Sequence, residues 1–263
     1  MVDQFQIRSF IGMRSDDWAD VGFHHHATLE ISLLMEGRGV FEWRERKIAL
    51  QAGHVVIVPA RMDHRFEGAG HNRYGVLHLA HIPPAIGKLL QRLAKADRPA
   101  VFALSRLDKD RFERLFREWL RIQASPLKEK LRAHLSWAEV LILFLLEHMQ
   151  TDQQALTITK AADYIRENLQ HGVQMSDLAV LTGFSEAGFR RLFEHMYHMS
   201  PKRYQQQCRM SEAKWLLSSS EKEIAEIAGQ LGFSRLHSFS QWFKRAEGVS
   251  PTEWRKLQQV HFG

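Results

Sequence analysis

Cysteine is almost missing. Cys208 is the only thiol in 263 residues, which excludes an intrachain disulfide and suits a reducing compartment. Long apolar runs are missing too: the most apolar, Val140 to Leu146, falls far short of the ~20 residues that cross a bilayer. No leader is read at the N-terminus, because Asp3, Arg8 and Arg14 to Asp17 interrupt any apolar stretch. A cytoplasmic protein without membrane contact is expected. Charge of one sign is not concentrated either. The formal charge is +6, with 14 Lys/Arg against 11 Asp/Glu from Ile158 onward and 22 against 19 before it. Net charge therefore favours an anionic partner only mildly and does not locate its face. What is present is a 44% hydrophobic chain long enough for two domains.

From about Phe5 to Phe102 the pattern is one of short strands broken by Gly and Pro. Leu29, Ile31, Leu33 and Met35 alternate before Glu36-Gly37; Phe41 and Trp43 alternate after Gly39; Val55 to Val58 runs between Gly53 and Pro59; Tyr74 to Leu79 is a further strand. This spacing predicts a small antiparallel barrel or sandwich. His24, His26 and Glu30 share a parity, so one continuous strand would put them on one face, and His64 supplies another imidazole after a turn. His78 shares the face of Tyr74 and Val76. The segment resembles the cupin family, in His24-x-His26-x3-Glu30-x6-Gly37 and in Gly53-x5-Pro59 followed by His64. It departs from that pattern at Arg61 and at Gly68. The resemblance implies an effector pocket whose wall includes His24, His26, Glu30, Trp43, His64 and His78. In metal-binding members the residues matching His24, His26, Glu30 and His64 are ligands. Three readings stay open: a pocket wall without metal, a divalent transition-metal site, or packed structural histidines. No other cofactor is expected.

Next, Ser105-x-x-Asp108 precedes a helix with Phe112, Leu115, Phe116 and Trp119 on one stripe. Ser125-Pro126 is read as the start of a second helix. In it Leu131, Leu135, Ala138, Ile142, Leu145 and Met149 form a heptad-like seam, available to the chain's own barrel or to a second copy in a homodimer. The polar stretch 151–157 is read as a linker. Domains of 1–104, 105–150 and 158–263 are expected around it.

The last hundred residues contain an internal repeat. Leu178-Ala179-x3-Gly183-Phe184-Ser185 recurs as Ile227-Ala228-x3-Gly232-Phe233-Ser234, 49 residues on. Phe189, Phe193, Ser200-Pro201 and Tyr204 recur as Phe239, Phe243, Ser250-Pro251 and Trp254, 50 residues on. Each unit reads as a short helix, a glycine turn and a longer amphipathic helix capped by Ser185 or Ser234. Helix-turn-helix motifs are expected over 174–197 and 223–246. The connector from Pro201 to Ser218 is helical in pattern and about 27 Å long at ~1.5 Å per residue.

These residues resemble the AraC/XylS family of bacterial transcription regulators, most fully in IAEIAGQLGF, SFSQWFKR and GVSPTEWRK. The resemblance implies base contacts from Ala187, Arg190, Arg191, His237, Ser238 and Gln241. Phosphate contacts are expected from Lys202, Arg203, Arg235, Lys244 and Arg245. Gly188 and Trp242 depart from the pattern, and Gly188 is expected to loosen the first unit. HHHATLE resembles the rhamnose-type, sugar-responsive members. The expected fold class is α+β multidomain: a cupin-like β-barrel, a helical dimerisation pair and an all-α DNA-binding domain. The expected function is a non-enzymatic regulator, read as an activator, that binds double-stranded promoter DNA under a small-molecule effector such as a sugar. RNA polymerase is a partner if it activates. A metal-dependent cupin enzyme and a metal-sensing regulator are the alternatives. Cys208, mid-helix with no reactive partner in register, is expected to be a buried structural thiol.

Overall fold

The computed structural model describes residues 5–149 and 153–260. Backbone contacts divide the chain into two compact units, Met1–Leu156 and Thr157–Gly263.

The first unit is built on seven strands: β1 (Gln6–Arg14), β2 (Trp18–Ala19), β3 (Leu29–Trp43), β4 (Arg46–Gln51), β5 (His54–Val58), β6 (Arg65–Ala80) and β7 (Ala100–Ala103). All pairings are antiparallel, in the order β1-β6-β3-β5-β7, with β2 on β6 and β4 on β3. Among the described residues the hydrogen-bonded path has two ends, so the expected barrel is an open sheet. The alternation read from Leu29 to Met35 is real: Ile31, Leu33 and Met35 enter one core while Glu30, Ser32 and Leu34 face the other way. The two strands expected over 29–43 are one strand, β3, with register shifts between Leu34 and Glu36 and between Glu36 and Arg38. These bulges change the parity, so Phe41 and Trp43 join Leu34 rather than opposing it.

Three helices cover the other face: α1 (Pro84–Leu93), α2 (Arg106–Ala124) and α3 (Lys130–His148). No helix was expected over α1. Its Ile86, Leu90 and Leu93 are nevertheless at helical spacing behind Pro83-Pro84, and all three are buried. Ser105 caps α2, accepting from the Asp108 amide at 3.2 Å, and Phe112, Phe116 and Trp119 are buried as expected. The third helix begins later than expected. Leu127 N bonds to Ser125 O at 2.9 Å in a tight turn, and the first helical bond runs from Ala133 N to Glu129 O. The seam on α3 serves its own chain. Ala138, Ile142 and Leu145 are fully buried in the helix–sheet core, Leu135 and Met149 pack against it, and Leu131 is exposed. Ala138, Ile142 and Leu145 are thus unavailable to a second copy, because burial against the sheet has already used their surface. Among the described residues, the outward large apolar side chains of α3 are Leu131, Val140 and Leu143.

The second unit is helical: α4 (Gln153–Glu167), α5 (Met175–Thr182), α6 (Glu186–Tyr197), α7 (Pro201–Ser219), α8 (Ile224–Gln230), α9 (Leu236–Glu247) and α10 (Pro251–Val260). Of the expected linker, 151–152 lies outside the described residues and 153–157 is helical, within α4. Two apolar cores form. One gathers Ile158, Ala162, Leu178, Phe189, Phe193 and Tyr204; the other gathers Ala213, Leu217, Ile227, Ala228, Phe239 and Phe243. The long helix α7 supplies Tyr204 to the first and Ala213 and Leu217 to the second, while Cys208 touches both. The Cys208 thiol is half-buried and its pKa is pushed up by burial, consistent with packing rather than reactivity. No helix among the described residues is long and apolar enough to cross a membrane.

Candidate functional site

The repeated sequence folds as a repeated pair of helices, and the repeat decides which side chains face out. In the first pair, Gly183 ends α5 in the left-handed region at φ 72°. Ser185 then caps α6, accepting from the Gly188 amide at 3.2 Å. A Cβ at Gly188 would lie 3.1 Å from that hydroxyl, so the glycine expected to loosen this helix also leaves room for its cap. Phe189 and Phe193 turn into the core, which leaves Ala187, Arg190 and Arg191 exposed. Arg190 Nε donates to Glu194 Oε1 at 3.2 Å across one exposed turn.

In the second pair Gly232, at φ 81°, makes the turn. A Cβ there would lie 2.6 Å from Leu169 O and 2.7 Å from Gln170 O, so the turn is wedged against the backbone following α4. Arg209 of α7 ties the same place, donating to Leu169 O at 3.1 Å with its guanidinium 5.6 Å from the Phe233 ring. The expected cap by Ser234 is absent. The residue added after the turn moves the helix start to Leu236, and Arg235 takes the N-cap position without a side-chain bond. Burial of Phe239 and Phe243 leaves His237, Ser238, Gln241, Lys244 and Arg245 exposed, as is Arg235. Trp242 covers this core, with its ring 5.0 Å from Phe233 and 6.0 Å from Phe239. Gly248 stops α9 at φ 80°. Lys202 and Arg203 are exposed in the first turn of α7, which Ser200 caps through the Arg203 amide at 3.3 Å.

The sheet of the first unit holds a cavity of about 280 Å³. Its apolar walls are Phe10, Ile11, Trp18, Phe66, Tyr74 and Val76; its polar groups are Arg14, Asp20, His24, Glu30, Ser32 and Asn72. Trp18 Nε1 donates to Asn72 Oδ1 at 2.7 Å, fixing one corner. Of the expected pocket residues only His24 and Glu30 are walls. His26, His64 and His78 gather around Glu30, while Trp43 is packed in the core inside the sheet, with the Arg44 guanidinium 4.6 Å from its ring. Trp43 is therefore no part of this cavity: it lies at the far end of β3, paired with Arg46 at the hairpin. The walls from β1, β2 and the middle of β6 were not foreseen. Pairings such as Arg14 with Asn72 and Gly12 with Tyr74 bring them together, and no sequence motif marks that register.

The expected single strand from His24 to Glu30 does not form. His24 makes an isolated bridge to His64, and β3 begins only at Leu29. The groups still converge, because the His24–His64 bridge and the β3–β6 pairing of Glu30 with His78 draw three segments together. His26 Nε2 lies 2.8 Å, His64 Nε2 3.5 Å and His78 Nε2 3.9 Å from Glu30 Oε2, and Ser32 Oγ donates to Oε1. Burial acts to raise the Glu30 carboxyl, but its His26, His64 and Ser32 partners outweigh that and hold it well below the usual carboxylate range. The Glu30 partner pushes His26 up, and burial pushes His78 down. Glu30 is thus a buried, charged acceptor at the edge of the cavity.

Comparisons with known proteins agree with this division. A family model described as an AraC-like ligand binding domain matches residues 9–141, about half of the chain. One described as a helix-turn-helix domain matches residues 178–257. The chain is 25% identical over 236 residues to the probable transcriptional regulator LumQ of Photobacterium leiognathi, covering 89% of this chain and 91% of that one. It is 24% identical over 232 residues to the HTH-type transcriptional regulator YobQ of Bacillus subtilis, covering 88% of each. It is 24% identical over 257 residues to the HTH-type transcriptional activator RhaR of Yersinia pseudotuberculosis, covering 89% and 84%. A ligand-binding domain ahead of a helix-turn-helix domain is what these matches have in common with the structure, and the chain belongs to the AraC family of DNA-binding transcriptional regulators.

Proposed function

We propose that α5–α6 and α8–α9 are both helix-turn-helix units, and that α6 and α9 enter major grooves of one promoter site. The observation that carries this reading is the matched exposure in the two units. The same repeat positions bury Phe189 and Phe193 in one and Phe239 and Phe243 in the other, and so turn Ala187, Arg190 and Arg191, and His237, Ser238 and Gln241, outward. Arginine can pair with guanine O6 and N7, glutamine with adenine, and alanine can meet a thymine methyl. The 19 residues of α7 form a rod about 28 Å long, close to the ~34 Å turn of B-DNA. Lys202, Arg203, Arg235, Lys244 and Arg245 contact phosphates in this reading, fixing register without reading sequence.

The cavity beside Glu30 holds the effector. Aromatic walls with a charged carboxylate acceptor suit a small hydroxylated ligand such as a sugar, whose C–H faces pack on the rings while a hydroxyl donates to Glu30. The likeness to an activator, RhaR, supports activation, and hence contact with RNA polymerase, in a cytoplasmic protein that carries out no catalysis. A second copy of the chain is a further partner in this reading. Its contact would fall outside the seam of α3 that the sheet already covers.

Arg190→Ala and Gln241→Ala should each weaken the cognate site by about 1–3 kcal/mol and leave random DNA unaffected. Lys244→Ala should weaken both and lower the salt slope by about 1. Quantitative footprinting of the promoter beside the gene, with and without candidate sugars, measures both effects. Equal losses on both DNAs for Arg190→Ala and Gln241→Ala would remove α6 and α9 from base readout.

A further inference from the structure

We propose that the helical unit carries a ligand site of its own, a cavity between α4, α5 and α7 that takes a small organic acid by its carboxylate. The inference rests neither on the cavity of the sheet nor on the DNA-binding reading. The cavity measures about 370 Å³ and lies wholly within the second unit. Ile165, Val173, Met175, Leu178 and Pro201 form its apolar wall. Its charged groups are Lys202 and Arg209, and no carboxylate is among the residues that line it.

Two polar side chains of this wall have donors that the protein leaves unused. Gln205 is only 8% exposed, yet its Nε2 makes no hydrogen bond. Native structures leave few buried amides in that state, because an unpaired donor away from water is destabilising. Its χ3 is soft and roughly two-fold, so the carboxamide can turn its NH2 group to the cavity. Arg209 lies one helical turn further on the same face of α7. It donates to Leu169 O at 3.1 Å, while its Nε is buried without a partner. Burial pushes this guanidinium down from its ordinary value, and no acid acts against that shift.

A partly buried cation beside an unpaired amide is satisfied by a negatively charged acceptor. Lys202, exposed three residues before Gln205, adds a second positive charge. The first residues of α5 and α7, Met175 and Pro201, both line the cavity, so the positive ends of two helices stand at its wall. The apolar wall then selects among anions. An inorganic phosphate would leave Ile165, Val173 and Leu178 uncovered, whereas the alkyl tail of an organic acid packs on them. Such an occupant would tie α4, α5 and α7 together.

The test titrates the full chain with sodium acetate, butyrate and hexanoate, and in a second arm with inorganic phosphate, all at matched ionic strength. Calorimetry gives the affinity. Proton–nitrogen spectra follow the Gln205 side-chain amide, which Gln205→Leu assigns by its disappearance. Hexanoate should shift that amide saturably, and each added methylene should tighten binding by about 4-fold. Gln205→Leu should weaken hexanoate binding at least ~10-fold, the effect of losing a hydrogen bond to a charged group. Gln205→Glu, nearly isosteric, sets a carboxylate beside Arg209 and should abolish it. Circular dichroism establishes that each variant is folded, and either one serves if the other is not. An unmoved Gln205 amide in the folded wild-type chain overturns the proposal. So does hexanoate affinity that both variants leave unchanged, which places the binding elsewhere. Phosphate binding as tight as hexanoate overturns it too, because the pocket would then be a contact for the DNA backbone.

Discussion

Gly232→Ala should destabilise the helical unit by about 2–5 kcal/mol, while Gly183→Ala at the equivalent turn should cost only about 1–2 kcal/mol. Both glycines sit at positive φ, 81° and 72°, where an L side chain meets the following carbonyl, so both variants carry that strain. The difference lies in what the new methyl would touch. At Gly183 nothing stands within 4 Å, whereas at Gly232 the carbonyls of Leu169 and Gln170 stand at 2.6 and 2.7 Å. Those are backbone atoms, which cannot swing away as a side chain would. The segment that must move is also tied to α7 through Arg209, so the strain passes into the second core. Urea denaturation of the full chain, with hydrogen exchange at α8 and α9, measures the two costs. Equal costs would mean that the backbone after α4 gives way freely.

Phe243→Ala should cost about 3–5 kcal/mol and abolish binding to every DNA, while Gln241→Ala should stay within about 0.5 kcal/mol in stability and lose only cognate affinity. The two residues are two positions apart on α9 and face opposite ways. Phe243 is fully buried, with its ring 5.9 Å from both Phe239 and Trp254. Removing it leaves a cavity beneath the helix that carries His237, Ser238 and Gln241, so the whole reading surface loses its support. Gln241 is exposed, so its loss should change only what the helix offers to the groove. Thermal melts paired with binding to cognate and random DNA separate the two. A stable Phe243→Ala variant that still discriminates its site would refute this division.

Much of the second unit was legible because its instructions are local. Gly183, Gly232 and Gly248 mark left-handed positions, Ser185, Ser200 and Ser250 cap helices, and phenylalanines at helical spacing choose the buried face. The two copies then confirmed one another. Ser234 fails as a cap because of the single residue added after the turn, which delays α9 by one position.

The first unit was less legible because its instructions are not local. The seam on α3 looked alike for docking on the sheet or on a second copy, since a heptad pattern records only that a stripe is buried. The contacts of Ala138, Ile142 and Leu145 with the sheet core decide it. Trp43 shares the Glu30 side of β3 but lies at its hairpin end, so the length of the strand keeps it from the cavity walls. The cavity walls Phe10, Trp18 and Asn72 meet only through the register of β1 and β2 on β6.

The sequence by itself determined the two-part organisation, the repeated helix pairs and the side chains they turn outward, because caps, turn glycines and helical periodicity act within a few residues. It also marked His24, His26, Glu30 and His64 as a set. Only the tertiary structure decided that His26, Glu30 and His64 converge while His24 stands aside. The positions of their ring nitrogens depend on Met62 and Thr28 carbonyls and on a bridge across 40 residues of chain, from His24 to His64, and no local pattern encodes such a pairing.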